Sequence, residues 1–288
     1  MITGLTVRVP ASAANIGPGF DTLAFALDWY NEIRVEPGPS LEVTAEGEGA
    51  DEIGPDNLVV RAMERVLGAT PRAKFHLLNR VPFGRGFGSS ATAIVAGLVA
   101  ANAMEGDPMQ TSSLLEMAVD IEGHADNVSA CLLGGFTVSL PGTSTARLPC
   151  PDGWSAVVCV APTRLATEAA RKGLPQSVAF PDAVATAGRV ARLVAAIAQG
   201  DHDALLHATE DVLHQPARFV LAPTSGELVD KLRKAGIAAF LSGAGPSVTV
   251  LTDDPGRAES AARAAAPDGW LVRTVAIANE GARVIERN

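Results

Sequence analysis

The chain has 288 residues, 47% hydrophobic and 19% charged, with a formal net charge of −9 at pH 7. Length and apolar content support a large core in one big or two ordinary domains and exclude a disordered chain. The negative balance argues against a nucleic-acid or anionic-membrane partner, so a bound phosphate would rest on local N–H groups, arginines and a metal ion.

The N-terminus lacks a basic stretch followed by an apolar one, so no signal peptide is expected. Leu5 to Pro10 alternates like a strand and runs into the small-residue loop Ala11 to Asp21. Leu23 to Leu27, Asn31 to Glu36 and Leu41 to Ala45 read as further strands of an antiparallel sheet. Asp56 fits the N-cap of a helix through Leu67, and Ala73 to Asn79 reads as a strand. Ala91 to Ala103 is apolar all round, which predicts a buried helix, and its apolar run is too short to cross a bilayer. A helix over Ser113 to Asp120 leads into the polar segment Glu122 to Asn127, and Phe136 to Leu140 reads as a strand.

Pro141 to Gly153 is rich in Pro, Gly, Ser and Thr and marks a boundary, giving domains 1–150 and 151–288. Ser155 to Val160 is a strand, and Thr167 opens a short helix broken near Gly173. Helices follow over Ala183 to Gln199, His202 to His214 and Ser225 to Ala235. Ile237 to Leu241 and Val248 to Leu251 flank a glycine-rich turn, then come a helix from Arg257 and a strand from Trp270 to Ala276. This split β-α-β order predicts a ferredoxin-like sandwich. Cys131, Cys150 and Cys159 form no C-x-x-C pair, which argues against a disulfide scaffold or zinc site.

The chemistry centres on Pro82-Phe83-Gly84-Arg85-Gly86-Phe87-Gly88-Ser89-Ser90-Ala91-Thr92. Alternating glycines ending in serines before a helix can cradle a phosphate on free N–H groups and the positive helix end. Read alone, the stretch serves equally well as a capped flexible turn. It matches neither a Walker A loop nor a dinucleotide fingerprint. A second glycine turn, Gly243 to Ser247 with Gly245 inside it, reads alone as a hairpin. Together with Gly17-Pro18-Gly19 it suggests one polyanion site built from backbone amides. Glu122, with Ser89 or Ser90, is a candidate magnesium site. His124, Asp126 and Asn127 are candidate acceptor contacts, although a solvated turn is the plainer reading of that segment by itself. Arg171 and Arg218 could clamp a carboxylate, although a helix arginine is more often a surface group.

Three segments in order resemble the small-molecule kinases that include galactokinase, homoserine kinase, mevalonate kinase and phosphomevalonate kinase. Pro10 to Asp21 resembles their first motif, Pro82 to Thr92 the second and Ser242 to Ser247 the third. Within that superfamily, Asn15 to Asp21, Glu122 to Val128, Ala166 to Arg171 and His214 to Arg218 resemble the homoserine kinase family. The chain has no lysine before Lys74, so a first-motif lysine is absent.

The resemblance implies an α+β fold, with an N-terminal domain like ribosomal protein S5 domain 2 and a C-terminal ferredoxin-like domain. It implies cytoplasmic phosphorylation of L-homoserine by ATP with Mg²⁺, without a nucleic-acid or membrane partner, and leaves a homodimer open. Asn15, Asp21, His124, Arg171 and Arg218 would bind homoserine, with Asp21 on the ammonium group and His124 and the arginines on the carboxylate. Asn127 would orient the attacking hydroxyl, and Glu122 with Ser89 or Ser90 would hold the metal ion. Thr167 would lie near the γ-phosphate, and Pro82 to Thr92, Gly243 and Gly245 would wrap the nucleotide. The chain departs from the family pattern at Phe87, Thr92, Ala125 and Ala166, where Leu, Ala, Pro and Ser are usual.

Overall fold

The computed structural model describes residues 4–140 and 144–287. The start of the Pro141 to Gly153 boundary segment therefore lies outside the described residues. The N-terminal half runs β1 (Leu5–Ala14), β2 (Leu23–Pro37), β3 (Glu42–Gly47), α1 (Leu58–Leu67), β4 (Ala73–Asn79) and α2 (Ser89–Met104). It continues with α3 (Thr111–Glu122), α4 (Asp126–Leu133), β5 (Phe136–Val138) and β6 (Ala146–Leu148).

The two strands expected between Leu23 and Glu36 are one, β2, paired with β1 along its length and interrupted by a bulge at Pro10/Ala11. A bulge bends a strand pair and increases its twist. On either side of this one, the inward residues enter different cores: Val7, Val9, Ile33 and Val35 one, Ala11, Ala13, Phe25 and Leu27 the other. The expectation of an antiparallel sheet fails at β3, which pairs parallel to β4. The helix α1 lies between these strands and supplies the crossover that a parallel pair requires.

The cap of α1 is Asn57, not Asp56. Asn57 Oδ1 accepts from the N–H groups of Val59 and Val60, while its Nδ2 donates to Gly54 O at 2.7 Å. A carboxylate could not make that last bond, and Asp56 instead pairs with Arg61 on the surface. The helix α2 is apolar around its circumference, as expected, and packs against α1, α3 and α4 with the face of the sheet beneath.

The C-terminal half runs β7 (Ser155–Val160), α5 (Thr167–Lys172), α6 (Phe180–Gln199), α7 (Leu205–Ala208), α8 (Gln215–Leu221) and α9 (Pro223–Lys234). It ends with β8 (Ala239–Leu241), β9 (Val248–Thr252), α10 (Pro255–Ala265), β10 (Leu271–Ala276) and β11 (Arg283–Arg287). The single helix expected over His202 to His214 is broken. A 3₁₀ turn leads into the short α7, and a turn then starts α8 at Gln215. The cause is Asp211, whose carboxylate accepts from the N–H groups of Leu213, His214 and Gln215.

The second sheet has the order β10-β7-β9-β8 with every pair antiparallel, the split β-α-β arrangement expected. Alternation along β7 serves two cores. Ala156, Val158 and Val160 meet the first sheet's residues, and Val157 and Cys159 face α9 and α10. The last strand, β11, which the sequence reading did not predict, returns to the first sheet beside β1. The two sheets thus share one apolar core and one strand exchange, which brings the ends of β1, β7 and β8 together around a cavity.

Candidate active site

A cavity of about 520 Å³ is lined by the glycine loop before α2, by the turn at Gly243 to Gly245, and by Asn15 and Asp21 on either side of Gly17-Pro18-Gly19. The loop before α2 supplies its floor. Gly88 is the N-cap of α2 in the left-handed region (φ 66°) with no side-chain cap, so the first N–H groups of the helix are left for a ligand. Gly86 has φ 88°, and a Cβ there would stand 2.1 Å from Ser242 O. The close approach joins the first glycine loop to the turn at Gly243. Ser242 Oγ donates to Gly86 O at 2.7 Å, and Asn15 Nδ2 and Arg218 Nη1 each donate to Gly243 O at 2.9 Å.

Of the stretch Pro82 to Thr92, all residues except Arg85 and Ala91 line the cavity. Arg85 lies between two left-handed glycines and turns outward to Glu48 and the carbonyl of Pro162. Ala91 faces the core between the first sheet and its helices. The departures from the family pattern have physical partners. Phe87 is fully buried against Trp29, with ring centroids 5.6 Å apart. The Thr92 hydroxyl donates to Ser89 O and accepts from Asn31 Nδ2.

Beside the loop, Ser90 Oγ donates to Glu122 Oε1 at 2.6 Å. Burial raises the Glu122 carboxyl above its ordinary range, against the Ser90 bond and the His124 charge. His124 Nδ1 lies 2.6 Å from Asp126 Oδ1. Burial works against its charged form, but the Asp126 bond and the nearby carboxylates outweigh it and raise its pKa. Asp126 Oδ1 also accepts from Asn127 N at 2.7 Å and from Asn127 Nδ2 at 3.4 Å. These groups stand on α3, α4 and the turn between them. The sequence offers this segment as acceptor contacts or a solvated turn and does not predict the helix α4 that begins at Asp126.

Across the cavity, Arg171 and Asp21 form a bidentate pair at 2.9 and 2.7 Å. The sequence reading assigned them to opposite ends of a zwitterion; here each is the other's partner, about one-third exposed. The hydrogen bond to Asp21 raises the Arg171 pKa. Arg218 is buried; loss of water and then the Arg171 charge lower it to about 10. Both guanidinium groups lie over the ring of Phe20, at 5.5 and 5.1 Å from its centroid. His214 packs behind this wall, against Phe20 and Arg218. Its Nε2–H donates to Gly17 O at 2.8 Å and its Nδ1 accepts from Arg218 Nη1 at 3.1 Å. Burial holds that imidazole well below its ordinary pKa, which suits the neutral tautomer these two bonds require.

Ser12, Phe20, Asn31 and His214 contact these residues but are not among the site candidates named from the sequence. Their signal was adjacency to motif residues, which has meaning only once the segments meet. The remaining candidates, Asn15, Asp21, Asn127, Thr167, Gly243 and Gly245, all line the cavity. So do Asn57, Leu58, Val59 and Arg61. Among the described residues no three His, Cys, Asp or Glu side chains converge as a metal cluster, and no helix is long and apolar enough to cross a membrane. The Ser90–Glu122 pair, two hard oxygens beside a phosphate floor, has the sparse donor set that Mg²⁺ uses.

Comparison with known proteins agrees with this geometry. The model for the GHMP kinases N terminal domain matches residues 57–135, and that for the GHMP kinases C terminal domain matches residues 193–269. The homoserine kinase of Streptomyces avermitilis is 44% identical over 97% of this chain and 95% of its own length. That of Carboxydothermus hydrogenoformans is 43% identical over 85% of this chain and 84% of its own. The crystal structure of homoserine kinase from Cytophaga hutchinsonii superposes with a TM-score of 0.89 at 30% identity, covering 99% of this chain and 98% of that one. A glycine-built anion floor, a carboxylate–serine pair and an arginine wall on a fold shared end to end with these proteins have one consistent reading: the chain belongs to the homoserine kinase family of the GHMP kinases.

Proposed function

We propose that this protein transfers the γ-phosphoryl group of ATP to the side-chain hydroxyl of L-homoserine, giving O-phospho-L-homoserine. The observation that carries the reading is one cavity holding both halves of the chemistry. The glycine loop before α2 presents uncapped helix N–H groups that suit a polyphosphate, and Asp21, His124, Arg171 and Arg218 offer the mixed charges that a zwitterion needs. Asp21 takes the ammonium group; Arg218, Arg171 and His124 take the carboxylate, which requires the Arg171–Asp21 pair to open toward the ligand. Glu122 and Ser90 would hold Mg²⁺, which supplies charge neutralisation at the phosphates. Thr167, at the exposed start of α5, reaches the same region.

Among the described residues, the carboxylate next to Asn127, that of Asp126, is paired with His124. Its Oδ1 is also engaged by the Asn127 amides. Catalysis therefore rests on alignment and electrostatic stabilisation, which is sufficient for a loose phosphoryl-transfer transition state.

The test is ADP release with homoserine and with mevalonate, an alcohol acid without the ammonium group. Homoserine should be the faster substrate, and release should require Mg²⁺. Faster turnover of mevalonate sinks the substrate assignment, and no release from folded protein favours a binding-only role. The Glu122→Gln variant should need more Mg²⁺ for half-maximal rate. In the unaltered protein, that requirement should rise as pH falls. A raised carboxyl pKa means that Glu122 takes up its proton at higher pH than an ordinary glutamate does. A metal titration unchanged by the substitution removes Glu122 from this role.

A further inference from the structure

Ser12 is fully buried in β1 and lies outside the cavity wall. Its hydroxyl donates to Asn127 Oδ1 at 2.8 Å. The Cys131 thiol donates in turn to Ser12 Oγ at 3.5 Å, and burial pushes that thiol up to about 12, so it keeps its proton. With a donor behind it, the Ser12 hydroxyl directs its own proton at Asn127.

We infer that Ser12 is a positioning residue for phosphoryl transfer, fixing the Asn127 carboxamide so that its N–H end, not its carbonyl, meets the acceptor hydroxyl. The inference rests on the role proposed for Asn127. A carboxamide has one accepting and one donating end, and a half-turn exchanges them. Here the accepting end is taken by Ser12. Among the described residues the donating end keeps only the long 3.4 Å contact to Asp126, so Nδ2 is what the amide offers a ligand. An N–H directed at the hydroxyl oxygen occupies one lone pair and leaves another to face the phosphorus. The opposite orientation would present a carbonyl and turn the O–H, not the lone pair, toward Asn127.

The same contact ties the acceptor site to the nucleotide floor. A Cβ on residue 88 would lie 2.1 Å from Ser12 Oγ and 3.0 Å from Asn127 Oδ1, so the bond occupies the space that glycine leaves beneath the start of α2. Ser12 N also donates to Phe87 O at 3.2 Å. Thus β1, the glycine loop and α4 meet at one hydroxyl.

The test is a cycle of Ser12→Ala, Asn127→Ala and the double variant, with kcat and both KM values measured for each. Loss of one neutral hydrogen bond predicts a kcat lower by about 5- to 10-fold in Ser12→Ala, with both KM values within about twofold. In the Asn127→Ala background the serine substitution should cost nothing further. Losses that multiply, or a lowered thermal midpoint with kcat unchanged, make Ser12 a packing residue and overturn the inference. A crystal structure of the Ser12→Ala protein reads the same point without turnover. The Asn127 amide plane should turn from its position in the unaltered protein, and an unmoved amide overturns the inference. If the unaltered protein does not phosphorylate homoserine, the proposed function falls, while the structural readout still decides the role of Ser12.

Discussion

Replacing Arg218 by alanine should raise the KM for homoserine by roughly 10- to 150-fold, the scale of about 1.5–3 kcal/mol for a hydrogen bond to a charged group. Affinity for ATP should change little. Arg218 is buried and stacked on Phe20, with one nitrogen on Gly243 O and near His214 Nδ1. Its charge has no carboxylate partner of its own among the described residues, since Asp21 is engaged by Arg171. A substrate carboxylate supplies that partner. The nucleotide side is protected because Gly243 O keeps the bond from Asn15 Nδ2 at 2.9 Å when the arginine is removed. The turn at Gly243 therefore stays in place under the glycine loop. Steady-state kinetics with each substrate varied, alongside calorimetric ATP binding, measure the effect. An equal loss for ATP and homoserine would show that Arg218 supports the loop and does not bind the acceptor.

The Gly86→Ala variant should show the complementary defect, with ATP affinity at least about tenfold weaker and a lower thermal midpoint. A side chain at φ 88° is strained at a cost of about 1–3 kcal/mol. The larger problem is space: the added carbon would stand 2.1 Å from Ser242 O, a backbone atom held in its own turn. Either the glycine loop or the Gly243 turn must shift, and both line the cavity. Gly84→Ala is the control. It too has positive φ, but its Cβ would meet only the Arg164 side chain, at 3.3 Å, which can move aside. The ATP defect should therefore be clearly larger at residue 86 than at residue 84. Equal, mild effects at both would mean that the Ser242 contact does not shape the nucleotide floor.

Much of the fold was legible because local pattern and burial agree. The alternation in β7 and the apolar circumference of α2 are direct statements about which faces are covered. The misses have local causes. The helix α4 begins in a polar segment without a side-chain cap, so Glu122 to Asn127 looked like a solvated turn. The strand β11 has no core pattern of its own and exists through pairing with β1. The break between α7 and α8 depends on one carboxylate, Asp211, choosing three N–H groups beyond it.

The sequence by itself determined the element order, the three glycine segments and the residue types that a phosphoryl transfer to an amino acid requires. Those properties reside in short stretches, where spacing and φ preferences act without help from distant parts of the chain. Only the tertiary structure decided which side chains face which. Arg171 pairs with Asp21 across 150 residues, Ser12 reaches Asn127 across 115, and Ser242 reaches Gly86 across 156. Such contacts follow from two sheets closing on a shared core. No local pattern encodes them, because a hydrogen-bonding group is specified by its partner's position, and that position exists only after the chain has packed.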